Sequence, residues 1–239
     1  MRLPIHGWVK TSLLDYPGHI ASSIFLARCN FRCPYCHNAD LVLAPEDNES
    51  PYSVDEVLVY LRHHQRTLEA ICLSGGEPLL HEGVPEFLGA VRSVGLKIKV
   101  DTNGSCPKML ERLLKDGLVD YVAMDVKGPL EKIPHITRTT MPQDHLRRSI
   151  EASVTMLKDQ PGEYEFRTTV VPGLLEEKDF EDIGRWLQGS RRFVLQQFRP
   201  GHTLDPAYSL IRPFPAEYLQ NVANRMKRFI ENCTIRGIG

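Results

Sequence analysis

No apolar run in this sequence approaches the ~18 residues that a membrane-spanning helix needs. Residues 1–16 lack a basic stretch followed by an apolar one, so no secretory signal is expected and the cytoplasm is the expected location. Charge of one sign is missing too: 29 Lys and Arg stand against 30 Asp and Glu, for a formal net charge of −1. Nucleic-acid binders carry a basic excess or a basic stripe. The short basic groups at 147–148, 191–192 and 225–228 read as solvated surface, so no nucleic-acid partner is expected. No internal repeat or low-complexity segment is present. Cysteine is sparse, six in 239 residues. In a reducing compartment that number points to metal binding or catalysis rather than to disulfides.

Apolar, β-rich runs alternate with amphipathic ones, the pattern of an α/β chain. Strands are expected at 22–27, 70–73, 96–101, 121–125, 164–171 and 192–198. Helices are expected at 54–64, 84–93, 107–115, 143–158, 177–188 and 216–231. Ser53 with Glu56 fits a capping box, and Pro107 fits a first helical position. A closed eight-unit barrel takes roughly 250 residues. Residues 1–20 and the polar stretch 38–52 use up part of the length here. The expectation is therefore a partial (β/α)6 barrel of TIM type in a single domain, 1–239. In it, 1–20 form an N-terminal extension, 21–200 the core, and 201–239 a C-terminal loop and helix.

The unusual polar and glycine groups each follow a candidate strand. These are Cys29–Cys36, Ser74-Gly75-Gly76-Glu77, Asp101-Thr102-Asn103-Gly104, Asp125-Val126-Lys127, Val171-Pro172-Gly173 and Gln197-Phe198-Arg199. Ligand sites of parallel α/β folds lie at the C-terminal ends of strands. Cys29, Cys33 and Cys36 are spaced C-x3-C-x2-C, close enough to wrap one small metal centre. Thiolates suit iron–sulfur clusters and zinc. A structural zinc site is closed by four protein ligands, and His37 could complete one only awkwardly, being adjacent to Cys36. Three thiolates on a four-iron cluster leave one iron open. Cys72, Cys106 and Cys233 are isolated and read as structural, and His63, His64 and His81 as surface groups.

C-x3-C-x2-C with an aromatic before the last cysteine, followed by Gly75-Gly76-Glu77-Pro78 after the second strand, resembles the radical S-adenosylmethionine (SAM) enzymes. Asp101-Thr102-Asn103-Gly104, Asp125-Val126-Lys127, Asp15-Tyr16-Pro17-Gly18 and the strand around Phe166–Gly173 resemble the enzymes that activate glycyl-radical enzymes. Leu195–Pro200 is most similar to the anaerobic ribonucleoside-triphosphate reductase activating subgroup. In pyruvate formate-lyase activases a histidine stands near the place of Arg199. A 7-carboxy-7-deazaguanine synthase-like radical enzyme is the second reading, and a zinc-binding structural or interaction module the third.

The resemblance implies a [4Fe–4S] cluster on Cys29, Cys33 and Cys36. It implies SAM contacts from Tyr35, Cys36, His37, Ser74, Gly75, Gly76, Glu77, Asp101, Asn103, Asp125, Val126, Lys127 and Arg199. The cofactor's amino group would sit on the Gly75–Gly76 turn, its ribose on Asp125 and its carboxylate by Lys127. Asp15 is the candidate for meeting a substrate loop. The implied chemistry is reductive cleavage of SAM, with an electron from reduced flavodoxin or ferredoxin. The resulting carbon radical would take a hydrogen from a glycine of the partner enzyme, anaerobic ribonucleoside-triphosphate reductase.

Overall fold

The computed structural model describes residues 2–45 and 49–238. The expected loop at 38–52 thus falls partly outside the described residues, as do both ends of the expected domain span. The described residues form two compact units interleaved along the chain. The first contains those up to Cys29, within Asp40–Thr102 and within Cys106–Ala123. The second contains Asn30–Ala39, Asn103–Ser105 and those from Met124 onward.

In the first unit, β1 (Ile5–Ser12) pairs antiparallel with β2 (Ala21–Leu26). Strands β3 (Ala70–Gly75) and β4 (Lys97–Thr102) follow in parallel register, with Ala21 opposite Ala70 and Ala70 opposite Lys97. Helix α1 (Ala39–Val42) is a single turn within the expected loop. Helices α2 (Val54–His63), α3 (Val84–Val94) and α4 (Pro107–Lys115) each bury one stripe, as an amphipathic period demands. The Ser53 hydroxyl accepts from Glu56 N at 3.1 Å, which satisfies a first-turn donor of α2. Val57, Leu61, Phe87 and Val91 are fully buried, as are Ile24, Leu73, Ile98 and Val100 of the strands. Tyr16, Ala21, Ala70, Tyr121 and Ala123 make a small cluster of their own.

Strand β5 (Tyr121–Asp125) carries the chain from the first unit into the second. There α5 (Ile133–Thr137) and the long α6 (Gln143–Asp159) lead to β6 (Glu163–Val170), α7 (Glu177–Trp186) and β7 (Phe193–Gln197). Helix α8 (Ala216–Met226) and β8 (Cys233–Arg236) complete it. β6, β7 and β8 are parallel. Phe166, Phe193 and Leu195 are fully buried on the strands, and Ile183 and Leu219 on the helices.

All six expected strands are present, and β1 and β8 are additions. β1 lies within the expected extension; it is an edge strand whose stretch Val9–Thr11 is exposed and so shows no apolar alternation. β8 has only four residues, too few to show a period. Among the described residues no helix is long and apolar enough to cross a membrane.

Candidate active site: the thiol loop and its supports

The thiol loop starts where β2 ends, and the Gly-Gly-Glu turn after β3 grips that point. Gly76 N donates to Leu26 O and Glu77 N to Arg28 O, both at 2.8 Å. A Cβ on Gly75 would lie 2.3 Å from Leu26 O, and one on Gly76 1.9 Å from Arg28 O. Gly75 also has φ +117°, a region that side chains disfavour. The two glycines are thus required by the neighbouring backbone itself. Glu77 is fully buried; its Oε1 accepts from Thr102 Oγ1 at 2.8 Å and from Leu79 N at 3.1 Å. This carboxylate ties the turn to the end of β4, a role for which exposure to a cofactor is not needed.

Next to it, Ser74 Oγ donates to Asp101 Oδ2 at 3.2 Å. Lys99 forms an ion pair with the other oxygen of Asp101, and its ammonium lies 3.4 Å from Cys72 Sγ. Lys99 is 1% exposed. Cys72, read from sequence as an isolated structural thiol, therefore borders an ion pair whose lysine is buried. Asp15 lies elsewhere. Ser12 is in register with Ala21, so the turn after β1 sits at the start of β2, whereas Cys29 follows its end. There Asp15 accepts from Ser23 Oγ at 2.5 Å, and His19 N closes a turn on Tyr16 O at 3.1 Å. Asp15, the candidate for meeting a substrate loop, thus lies toward the opposite end of β2 from Cys29.

In the second unit the loop continues through Asn30, which is held from several sides. Its amide Nδ2 donates to Ser105 Oγ at 2.8 Å, its Oδ1 accepts from Asn103 Nδ2 at 2.9 Å, and its carbonyl accepts from Thr139 Oγ1 at 2.9 Å. Asn103 is buried, and its Oδ1 accepts from Ser105 N at 2.9 Å. The Asp-Thr-Asn-Gly motif thus acts on the thiol loop through Asn30. Further along, Arg32 N donates to Thr137 O, Leu204 N to Cys36 O and Asp205 N to Pro34 O. Cys33 and Tyr35 are buried, Cys36 half-buried and His37 exposed, its ring stacked on Phe198 with centroids 6.0 Å apart.

A charged triad completes this unit's part. Asp125 Oδ1 accepts from Arg167 Nε at 2.8 Å, and Oδ2 from Lys127 Nζ at 3.2 Å. Burial by itself would raise the Asp125 pKa, but the two cations outweigh it and hold the carboxyl at about 2. Lys127 is held well above the usual lysine range: burial works against its charge, and Asp125 more than offsets that. Arg167 was not among the expected site residues. The signal was there in 164–167, where Glu165 and Arg167 alternate with Tyr164 and Phe166 and so share one face of the strand. Val126 has its backbone occupied, its N–H on Arg167 O and its carbonyl on Thr168 Oγ1. Arg199 is exposed and reaches Gly237 O at 3.4 Å.

The donor set fits an iron–sulfur cluster. Burial pushes the Cys33 thiol up to about 11, with Lys127 pulling the other way, so a thiolate there needs a strong cationic partner. The irons of a cluster would supply that charge. Among the described residues no three His, Cys, Asp or Glu side chains are drawn together as tightly as a single ion requires. A cubane takes each thiolate at a separate iron and does not need such a knot. The Asp125–Lys127–Arg167 triad has a formal charge of +1 and suits a ligand bearing a carboxylate.

Residues 23–187 match the family described as the Radical SAM superfamily. The chain is 32% identical over 240 residues to a Methanocaldococcus jannaschii protein named "Putative glycyl-radical enzyme activating enzyme MJ1227", covering all of this chain and 98% of that one. It is 25% identical over 212 residues to a Staphylococcus epidermidis "Pyruvate formate-lyase-activating enzyme", covering 84% and 81%. Among solved structures it resembles Streptococcus suis SuiB bound to S-adenosylmethionine, with a TM-score of 0.65 at 12% identity over 87% of this chain. The chain spans about half of SuiB, 48% of its length, and the likeness shows a shared α/β fold. The expected partial barrel fits it.

Proposed function

Because the chain belongs to the radical SAM superfamily, we propose that it activates a glycyl-radical enzyme, anaerobic ribonucleoside-triphosphate reductase, by making the glycyl radical on it. It is a radical SAM oxidoreductase whose cofactors are a [4Fe–4S] cluster and SAM. The observation that carries the activase reading is end-to-end similarity to an activating-enzyme relative of nearly equal length. The reductase as partner is supported by Leu195–Pro200 and by Arg199 standing where lyase activases have a histidine.

Cys29, Cys33 and Cys36 would hold the cluster, which supplies the single electron for reductive cleavage of SAM. The protein's own residues bind and orient. Asn30, gripped by Asn103, Ser105 and Thr139, fixes the loop between the first two thiols. The Gly75–Gly76 turn braces its start, and the backbone of Leu204 and Asp205 braces its end. Lys127 is the group proposed to meet the cofactor's carboxylate. Asp125 keeps acceptor capacity for ribose hydroxyls, since a carboxylate has about four lone-pair sites and the two cations occupy two. A reduced flavodoxin or ferredoxin as donor, and a cytoplasmic setting, belong to the same proposal.

The test is anaerobic incubation of the reduced, cluster-loaded protein with SAM and an anaerobic ribonucleoside-triphosphate reductase from the same organism. A glycyl-radical doublet in the EPR spectrum of the reductase is the expected result. No doublet, with SAM cleaved normally, removes that partner.

A further inference from the structure

Arg28, the residue before Cys29, has φ 72°, a left-handed conformation rare outside glycine. Backbone strain of this kind persists only where the surroundings over-determine it. Here they do. Arg28 N donates to Leu41 O at 2.7 Å, and its carbonyl accepts from Glu77 N at 2.8 Å. The third support is His81, the residue ending the 3₁₀ turn Pro78–Leu80 that follows the glycines. Its sequence neighbourhood suggested a surface group, yet it is 7% exposed. His81 Nε2 is 2.9 Å from Ala27 O, and its Nδ1 is 3.5 Å from the Arg28 guanidinium. A carbonyl only accepts and a guanidinium only donates, so the ring is the neutral tautomer protonated on Nε2. Burial favours that neutral form, as does Arg28, against the bond to Ala27.

We propose that His81 is a positioning residue for Cys29: it locks Ala27 and Arg28 so that the chain leaves β2 through a left-handed residue and presents the first thiol in a fixed direction. The proposal rests on Cys29 being a cluster ligand. Its first arm does not. In the metal-free full chain, the rate at which a thiol reagent labels Cys29 is read against Cys33 by peptide mass spectrometry. His81→Gln keeps an N–H donor near the place of Nε2, whereas His81→Asn is too short to reach Ala27. His81→Asn should change the Cys29 rate about tenfold, the size set by one lost buried hydrogen bond, and His81→Gln should behave as the parent. In the loaded protein, His81→Asn should lose iron to a chelator faster and shift the cluster's reduction potential, with His81→Gln again rescuing both. If the two variants behave alike in labelling, the proposal is overturned. A parent protein that binds no four-iron cluster refutes the cluster reading alone, and the labelling comparison still judges the lock.

Discussion

Replacing Gly76 by alanine distinguishes two reasons for a glycine at this turn. If the residue only leaves space for a cofactor, Gly76→Ala should cost affinity and leave the metal-free protein as stable as before. The structure predicts otherwise. The new Cβ would fall 1.9 Å from Arg28 O and 2.6 Å from Arg28 C, and neither backbone atom can swing aside as a side-chain end could. Relief requires parting the turn from the chain after β2, which puts two 2.8 Å backbone hydrogen bonds at risk. Each such bond is worth about 0.5–1.5 kcal/mol net, and overpacking adds about 1–3 kcal/mol. The sum is about 2–6 kcal/mol, against a total stability on the order of 5–15 kcal/mol. In urea, with a slope near 3 kcal/mol/M, the midpoint should fall by about 1–2 M. The control is Gly89→Ala in α3, where a Cβ meets nothing within 4 Å; it should be neutral or stabilising by up to about 1 kcal/mol. The measurement is made on metal-free protein under anaerobic conditions. Equal midpoints for Gly76→Ala and Gly89→Ala would refute the reasoning.

Three further outcomes are expected. Asp125 has its folded pKa depressed from 3.8 to about 2, so its contribution is present above pH ~4 and lost as pH falls through ~2, about 2 kcal/mol in all; acid unfolding of Asp125→Asn should lack that part of the slope, and an unchanged slope would count against the triad. Arg236 bonds both oxygens of the fully buried Glu165, at 2.6 and 2.7 Å; Arg236→Met should cost about 3 kcal/mol by thermal melting and Glu165→Gln in the same chain should recover part of it, since a buried carboxylate deprived of its partner is the costly state. Cys33→Ala should reduce bound iron and sulfide to background and abolish SAM cleavage while moving the metal-free melting curve by only about 1 kcal/mol; undiminished 5′-deoxyadenosine formation would refute the ligand assignment.

The alternation of strands and helices was legible because each element's period is local. The same holds for the three-thiol spacing, which eight consecutive residues contain. The chemistry that follows from C-x3-C-x2-C and Gly-Gly-Glu-Pro needed no coordinates to suggest it. Less was visible about how motif residues divide between touching a ligand and holding other residues. Asn103 and Glu77 stand in motifs that suggest cofactor contact, yet the Asn103 amide also engages Asn30 and Ser105, and Glu77 Oε1 engages Thr102 and Leu79.

The sequence determined the fold class and the loop that carries the thiols, because those depend on neighbours along the chain. Tertiary structure alone decided that Arg167 and Lys127 jointly hold Asp125, that Lys99 is buried beside Cys72, that His81 sits under Arg28 and that Asp15 lies at the far end of β2 from Cys29. Those facts depend on which strands become neighbours and in what register. Burial and charge pairing then act across gaps of up to 71 residues, as between Glu165 and Arg236, a range over which no sequence period carries information.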